Sequence, residues 1–175
     1  MINEAVGIIG GTGWLGGAIA KAVLTKGLVP AGNLIISNRS GSHPSTRQGP
    51  CLVTNNQDLV DRSDVIIIAV RPEHFTSLNI NAAGKTVVSL MAGIKAQAII
   101  EQTSAAMVVR AMPSAVVEIG QSFTPWYCAG EVEAKTRNLM QRAFECVGTA
   151  AEVLEEDFID YLSALSGTGP AFPAC

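Results

Sequence analysis

A glycine-rich turn between an apolar run and an amphipathic segment constrains this chain more than any other feature. The apolar run covers residues 5–9 and stops at glycines, as a buried strand does. After the turn the apolar residues recur at helical spacing, on one face that holds Leu15, Ala18, Ile19, Ala22 and Val23. Gly27 then gives a helix stop signal.

The turn itself matches the pattern G-x-G-x-x-G and predicts a dinucleotide-binding Rossmann unit. We expect Gly11 to allow the tight turn, Gly13 to let a pyrophosphate approach the backbone, and Gly16 to let the helix pack closely. The phosphates would lie at the helix N-terminus. The alternative is a strand-to-helix turn with packing glycines and no ligand. The predicted cofactor-binding residues here are Gly11, Thr12, Gly13, Trp14, Leu15 and Gly16.

The end of the second predicted strand, 33–37, indicates which dinucleotide is bound. An NAD site usually places an acid there for the ribose hydroxyls, whereas this chain reads Asn38-Arg39-Ser40. Arg39 would hold a 2′-phosphate through charge-assisted hydrogen bonds, and Asn38 and Ser40 add neutral donors. The sequence therefore predicts NADP(H) rather than NAD(H). The alternative is that Arg39 is a solvated surface residue.

Strand and helix patterns alternate along the chain, which predicts an α/β fold of the Rossmann type. We expect a doubly wound, mostly parallel sheet with helices on both faces. The predicted strands are 5–9, 33–37, 51–54, 65–70, 86–89, 106–110, 122–128 and 150–154, and the helices after the first are 58–62, 95–102, 131–147 and 155–165. The expected inner stripes of the last two helices are Val132, Thr136, Leu139, Ala143 and Cys146, then Leu154, Phe158, Leu162 and Leu165.

Composition excludes several classes of protein. With 48% hydrophobic and 15% charged residues the chain is not a disordered one, and a net charge of −3 gives no electrostatic case for nucleic acid. The longest apolar run, 65–70, is too short to cross a membrane. Four cysteines without a C-x-x-C pair and two histidines predict no metal site. Since no secretory signal precedes the fold, we expect a cytoplasmic protein with reduced thiols.

Four later motifs resemble those of the pyrroline-5-carboxylate reductase family. They are DVIIIAVRP at 64–72, SLMAG at 89–93, VRAMP at 109–113 and SALSGTGPAF at 163–172. The resemblance implies an NADPH-dependent reductase of 1-pyrroline-5-carboxylate to L-proline, acting on a cyclic imino acid as a homodimer or larger oligomer. It places cofactor contacts at Asn56, Val70, Arg71 and Pro72, and nicotinamide contacts at Ala92 and Pro113.

The resemblance also implies that the last motif holds the substrate carboxylate, through Ser166, Gly167, Thr168 and Gly169. Independently of the family, these residues followed by Pro170 predict a helix start, whose free N–H groups suit a carboxylate. The alternative is an ordinary turn between helices. No catalytic side chain is assigned, because hydride transfer to a protonated imine needs mainly geometry. Glu118 and Tyr161 are polar residues near the motifs, and neither is assigned as the proton donor.

The chain departs from the family pattern in three places. The family's M-P-N-T-P becomes Met112-Pro-Ser-Ala-Val116, where Ser114 can keep one hydrogen bond and Ala115 cannot, and Arg71 replaces a lysine. The family continues beyond the last motif into a helical dimerisation domain. We therefore expect an NADP-binding domain over 1–154 and the start of the helical domain over 155–175, with self-association through uncovered apolar residues.

Two other functions remain open at this point. The glycine turn followed by S-x-R also resembles the start of reductases that handle F420 and NADP. The altered segment 114–116 is compatible with an NADP-binding regulator that has no catalytic activity.

Overall fold

Eight strands form one sheet in the computed structural model, which describes residues 3–38, 49–132 and 134–168. The strands are β1 (Val6–Ile9), β2 (Leu34–Ser37), β3 (Cys51–Val53), β4 (Val65–Ile68), β5 (Thr86–Ser89), β6 (Met107–Ala111), β7 (Ser122–Ala129) and β8 (Gly148–Glu152). The helices are α1 (Trp14–Thr25), α2 (Asn56–Asp61), α3 (Ala96–Thr103), α4 (Ala134–Glu145) and α5 (Asp157–Thr168). Short 3-10 turns cover Ala31–Asn33, Pro72–His74 and Ala115–Ile119.

The strand order is β3-β2-β1-β4-β5-β6-β7-β8. All neighbouring strands are parallel except β6 and β7, which are antiparallel. The first six strands follow the doubly wound order of a Rossmann fold, so the predicted fold class is confirmed. The strand order changes direction between β1 and β4, which are neighbours in the sheet: β2 and β3 lie on one side of this point and the later strands lie on the other. The carboxyl ends of β1 and β4 are where such a sheet binds its ligand.

Both faces of the sheet are covered, which explains why its central strands are apolar throughout. On one face α1 and α4 pack against residues such as Ile8, Val88 and Val109. On the other face α2 and α3 pack against Ile66, Val87 and Val108. Alternate residues of each strand point to opposite faces, and the two cores divide accordingly.

Most predicted elements are confirmed, with boundaries that move by one to three residues. The antiparallel direction of β7 has no counterpart in the sequence prediction, because a strand's direction cannot be read from its apolar pattern. In α4 the deeply buried residues are Met140 and Phe144, one position beyond the predicted Leu139 and Ala143, which are partly buried. The predicted stripe was therefore slightly misplaced.

The predicted inner face of α5 is wrong. Leu154 is 91% exposed, and Phe158 and Leu165 are also exposed. Ile159 is instead the residue that α5 buries completely. The reason is that acidic residues of this segment pair with an arginine of the sheet, as described below, and these pairs set the rotation of the helix. No helix in the described part of the chain is both long and apolar enough to span a membrane.

Candidate nucleotide-binding site

The glycine turn follows β1 directly and is closed by its own backbone. Gly13 N–H donates to the carbonyl of Gly10 at 2.9 Å, and Gly10 adopts a φ of +80°. Gly10 is the left-handed residue of this turn, whereas Gly11 is its second residue and is not left-handed. A Cβ on Gly11 would instead lie 2.6 Å from Cγ2 of Ile36, so Gly11 is needed for contact with β2.

Helix α1 begins at the turn with an uncapped N-terminus. Gly13 is the N-cap residue, no side chain caps this end, and the first turn carries no acidic residue. The first N–H groups of a helix lack intrahelical acceptors, and the helix dipole makes this end attractive to anions. Thr12, Gly13 and Trp14 are exposed here, so a phosphate has access to the backbone.

Gly16 has the packing role that the sequence predicts. A Cβ at this position would lie 2.5 Å from the carbonyl oxygen of Gly10 and 3.1 Å from Cβ of Ala69. Only a glycine lets α1 approach the turn and the end of β4 this closely. The close approach directs the N-terminus of α1 at the carboxyl edge of the sheet.

A cleft of about 540 Å³ opens between the carboxyl ends of β1, β2 and β4. It lies at the switch point of the strand order, where ligands of open α/β sheets collect. None of the described residues that line it is an acid, and the cation Arg71 stands at its rim. Its lining residues are Ile9, Gly10, Thr12, Gly13, Ser37, Asn38, Asn56, Ala69, Val70, Arg71, His74, Ser77 and Leu78.

A hydrogen bond joins the two elements on one side of this cleft. Ser37, the last residue of β2, donates from Oγ to Oδ1 of Asn56 at 2.7 Å. The Asn55 side chain caps α2 by accepting from the N–H groups of Gln57 and Asp58, which fixes the helix that carries Asn56. The Asn56 amide nitrogen is a donor suited to a ribose hydroxyl.

Several residues of the cleft were missed by sequence reasoning. Ser37 has a detectable signal, since it is a fully buried polar residue that ends an apolar strand beside the predicted Asn38. His74 and Ser77 have no such signal. They reach the cleft because the 3-10 turn Pro72–His74 folds back after β4, where His74 N–H donates to the Arg71 carbonyl at 2.9 Å.

Apart from Trp14, the predicted cofactor residues fall into four groups. The first group lines the cleft: Thr12, Gly13, Asn38, Asn56, Val70 and Arg71. The second supports the turn or adjoins the cleft: Gly11, Leu15, Gly16 and Pro72. Arg39 and Ser40 lie outside the described residues, so their predicted contact with a 2′-phosphate stays a prediction. The cleft lining does not include Ala92 and Pro113, which follow β5 and β6 further along the same edge.

Trp14 lines a second groove, which shares Thr12 and Gly13 with the cleft. The groove has a volume of about 790 Å³ and follows the outer side of α1 toward the 3-10 turn Ala115–Ile119. Trp14 is 54% exposed within it. Glu118 also lies in this groove and is exposed, at a distance in sequence and structure from the lining of the cleft.

Arg71 and Ser114 lie where the chain departs from the family pattern, and their surroundings differ. Arg71 is exposed and pairs only loosely with Glu73, at 3.7 Å, so its guanidinium remains accessible to a ligand. Ser114 is buried, and its Oγ accepts from the N–H of Phe123 at 3.2 Å. The hydrogen bond that Ser114 was expected to offer is therefore used within the fold, in holding the chain against β7.

The structure describes only the first three residues of the predicted carboxylate motif, 166–168. Helix α5 continues to Thr168, so residues 166–168 form its last turn. In a last turn the carbonyl groups, and not the N–H groups, lack intrahelical partners. Gly169 and Pro170 lie outside the described residues. The predicted helix start, which has Pro170 as its first residue, and the predicted carboxylate contacts of residues 166–169 therefore stay predictions.

Metal chemistry has no visible support in the described ranges, where no group of three or more His, Cys, Asp or Glu side chains converges on one point. The cysteines there are also unsuited to it. Burial raises the pKa of the Cys128 thiol to about 11, and Glu152 adds to the effect. Burial likewise raises the pKa of Cys146. Thiols of this kind stay protonated and are poor ligands.

Comparisons with known proteins agree with this geometry. Residues 5–93 match the family described as "NADP oxidoreductase coenzyme F420-dependent". The chain is 31% identical to the pyrroline-5-carboxylate reductase of Corynebacterium melassecola, and the match covers 95% of this chain and 65% of that protein. It is 30% identical to pyrroline-5-carboxylate reductase 2 of Macaca fascicularis, over 96% of this chain and 56% of that protein. The chain thus spans less than two thirds of the length of these relatives.

Solved structures show the same fold. A pyrroline-5-carboxylate reductase from Coxiella burnetii superposes with a TM-score of 0.84 at 24% identity, covering 97% of this chain and 66% of that one. The Plasmodium falciparum pyrroline carboxylate reductase, solved with NADP bound, gives a TM-score of 0.83 at 24% identity, with 98% and 65% covered. The resemblance predicted from the motifs is confirmed, and the chain belongs to the family described as NADP oxidoreductase coenzyme F420-dependent.

Proposed function

We propose that this chain is the NADP-binding part of a reductase that converts 1-pyrroline-5-carboxylate to L-proline. The observation that carries the proposal is the acid-free cleft at the switch point of the sheet, which opens onto the uncapped N-terminus of α1. A dinucleotide needs backbone N–H groups for its pyrophosphate and polar groups for its ribose, and both are present there. The curated relatives named above are pyrroline-5-carboxylate reductases.

The residues of the cleft fit the parts of NADP in order. The amides at Gly13, Trp14 and Leu15 suit the pyrophosphate, because they lie at the positive end of α1. Asn56, oriented by Ser37, suits the adenosine ribose. We assign the 2′-phosphate to the segment Asn38, Arg39 and Ser40, since a carboxylate is absent from these three positions and would repel it.

When bound, NADPH supplies the hydride. The contribution of this chain is to hold the dinucleotide so that its nicotinamide end extends past β4 toward Ala92 and Pro113. Ala92 is exposed in the turn after β5, and Pro113 is a buried, rigid residue after β6. Small and rigid groups at these points suit a flat ring and leave its reactive face to the substrate. The substrate imine is electrophilic once protonated, so the chain has to supply position more than acid or base.

The division of the chain and its assembly remain proposals. We assign residues 1–154 to the NADP-binding domain and 155–175 to the start of a helical dimerisation domain, as the resemblance implies. The exposed residues Phe158, Tyr161 and Leu165 of α5 are compatible with a homodimer or larger oligomer. The proton donor is unassigned, and a cytoplasmic location stays a prediction from the sequence.

The direct test mixes the chain with NADPH and 1-pyrroline-5-carboxylate and follows the loss of reduced-nicotinamide absorbance. Turnover with formation of proline supports the proposal. Tight NADPH binding without turnover supports either a non-catalytic NADP-binding protein or a fragment that binds the cofactor and cannot complete the reaction alone. Absence of binding to either nicotinamide nucleotide contradicts the proposal as a whole.

A second test addresses the choice of nucleotide. Arg39→Ala should weaken NADPH binding by about tenfold or more and leave NADH binding unchanged, because only NADPH carries the 2′-phosphate. Arg137→Ala provides a matched control, since Arg137 is a surface arginine of α4 that pairs with Glu152 away from the cleft. An unchanged preference between NADPH and NADH would remove the assignment of Arg39.

A second candidate function follows from the family match over residues 5–93. In that case the chain would transfer hydride between NADP(H) and coenzyme F420. The same assay separates the two functions, because oxidation of NADPH would then require F420 and would not occur with the cyclic imine.

A further inference from the structure

Arg110 is a charged residue in the interior of the sheet. It lies near the end of β6, paired in register with Ser89 at the end of β5, and it is 1% exposed. Its Nη1 lies 3.1 Å from Oε1 of Glu156, and its Nη2 lies 3.0 Å from Oδ1 of Asp160. Its Nε is also buried and has no hydrogen-bond partner. The cofactor site described above does not use this residue.

The same acidic segment is tied to the N-terminus of α3. The carboxylate of Glu156 also accepts from the N–H of Ala96, the first residue of α3, at 2.7 Å. Lys95, which precedes it, pairs with Asp157 at 2.6 Å and with Asp160 at 3.4 Å. We call Arg110, Lys95, Glu156, Asp157 and Asp160 the charge clamp. It joins β6, the start of α3 and the start of α5 in one network.

Each of the three joined segments leads to a part of the proposed site. The turn before α3 contains Ala92 and is held at its start by Ser89, whose Oγ accepts from the N–H of Met91 at 3.2 Å. The strand β6 leads directly to Pro113, and the last turn of α5 contains residues 166–168, for which the sequence predicts substrate contacts. By contrast, the groups proposed for the adenosine half lie in β2, directly after β2 or in α2, and none of these segments contributes a residue to the charge clamp.

The charge clamp attaches α5 to β6, in addition to the contacts that α5 makes with β7. Ile159 is the residue that the helix buries completely, whereas Phe158, Tyr161 and Leu165 are exposed. A buried guanidinium is costly to desolvate and is stable only with its partners in place, so loss of either side has a large effect. The position of α5 and of the turn before α3 therefore depends on Arg110 as well as on apolar packing.

We propose that Arg110 is a positioning residue for the nicotinamide half of the site. Through the charge clamp it fixes the turn that carries Ala92, the approach to Pro113 and the start of α5 relative to one another. This inference rests on the proposed function, in which the nicotinamide end of NADPH extends past β4 toward Ala92 and Pro113. The adenosine half is independent of Arg110.

The experiment compares two probes on the full chain. The first is NADPH, and the second is 2′,5′-ADP, which contains only the adenosine half. Calorimetry measures both affinities for the wild type and for the variants Arg110→Met, Arg110→Lys and Glu156→Gln. Arg137→Met is the matched control, because it removes an arginine that pairs with Glu152 at 2.8 Å but is half-exposed and lies outside the charge clamp.

We expect Arg110→Met to lower the affinity for NADPH by about tenfold, as misplacement of a binding group does. The affinity for 2′,5′-ADP should change by less than about twofold. Hydrogen exchange of residues 157–168 should become faster in the same variant, while β1 and β4 stay protected. Arg110→Lys should recover part of the NADPH affinity, because a lysine keeps the charge but pairs with fewer acceptors at once. Arg137→Met should change neither affinity.

Other outcomes would contradict either the inference about Arg110 or the proposed function. If Arg110→Met weakens both probes equally, or weakens neither while α5 exchanges faster, the charge clamp is only structural and the inference is wrong. If Arg110→Met does not fold, Glu156→Gln decides, since it removes the charge of one partner at the edge of the network and should show the same selective loss. If the wild type binds neither probe, the proposed function itself fails, and that result is visible before any variant is compared.

Discussion

Gly16 packs directly on Gly10, so that a Cβ built on Gly16 would lie 2.5 Å from the carbonyl oxygen of Gly10. This is well below any normal carbon–oxygen contact, and the oxygen belongs to the backbone of a turn that cannot move easily. The contact brings the N-terminus of α1 to the edge of the sheet. The anion-binding property of the turn therefore depends on the absence of one methyl group.

Gly16→Ala should destabilise the fold and abolish nucleotide binding together. We expect a loss of about 1–3 kcal/mol in the free energy of unfolding, because the methyl group forces the helix and the turn apart. Urea unfolding measures this loss, and NADPH titration measures the second effect.

Gly17→Ala is the matched control for this variant. A Cβ on Gly17 would lie 3.5 Å from the carbonyl oxygen of Gly11, which is an ordinary contact. Because alanine favours a helix interior over glycine, the control should gain about 0.5–1 kcal/mol. Equal behaviour of the two variants would show that the contact between Gly16 and Gly10 is not what limits the turn.

Asn56→Ala should weaken the binding of NADPH and of 2′,5′-ADP alike, by about fivefold to tenfold, because one ribose hydrogen bond is lost. The fold should remain, since α2 keeps its cap at Asn55. Asn138→Ala, at an exposed position of α4, removes the same group away from the cleft. Loss of NADPH binding without loss of 2′,5′-ADP binding would place Asn56 elsewhere along the dinucleotide.

The contribution of Asp160 to stability should disappear in acid. Burial opposes ionisation of this carboxyl, but its hydrogen bond to Arg110 and the charges of Arg110 and Lys95 outweigh that effect, so its pKa is lowered. A lowered pKa means that the folded state binds the proton more weakly than the unfolded state does. The stabilisation is therefore complete above the unfolded pKa of about 3.9 and is lost as the pH falls through the lower folded value.

The measurement for Asp160 compares the wild type with Asp160→Asn by urea unfolding over the acidic range. The wild type should be the more stable protein near neutral pH, and the difference should shrink only below about pH 4. A difference that is the same at all pH values would mean that the charge of Asp160 contributes nothing.

Cys128 should react slowly with thiol reagents in the folded protein. Its pKa is raised to about 11, chiefly by burial, so almost no thiolate is present near neutral pH. Cys51 is only half-buried and should react first. A disulfide reagent added to the Cys175→Ser variant should therefore label one thiol rapidly and the others only on unfolding. Rapid labelling of Cys128 would mean that the strand β7 opens readily.

The chain should self-associate through α5. Its exposed apolar residues lie next to one another along the helix and include Phe158, Tyr161 and Leu165. Light scattering at increasing concentration should show a rising mean mass, and Phe158→Ser together with Leu165→Ser should reduce it. A wild-type chain that stays monomeric at high concentration would contradict this prediction.

Much of the fold could be predicted from local patterns. The apolar runs, the period change after Gly16 and the missing acid at Asn38-Arg39-Ser40 depend on neighbouring residues in the chain, so one sequence is enough to interpret them. The same is true of the family motifs. Thr12, Gly13 and Asn56, which the sequence predicts as cofactor contacts, line the cleft, and the contacts themselves stay a prediction.

The errors arise where distant segments meet. The sequence prediction gave no role to Gly10, where a Cβ would lie 2.9 Å from the carbonyl oxygen of Ala69, the residue after β4. The predicted inner face of α5 was wrong because the prediction considered only the spacing of apolar residues. Glu156 and Asp160, which pair with Arg110, did not enter it. His74 reaches the cleft through a chain reversal that leaves no periodic signal.

The sequence by itself determined the alternation of strands and helices and the glycine turn, since these follow from the local conformational preferences of each segment. The tertiary structure decided the antiparallel direction of β7, the internal use of Ser114 and the ion pairing of Arg110 with α5. The physical reason is that burial and charge pairing join residues far apart in the chain, and their energies exist only once the sheet has brought those residues together.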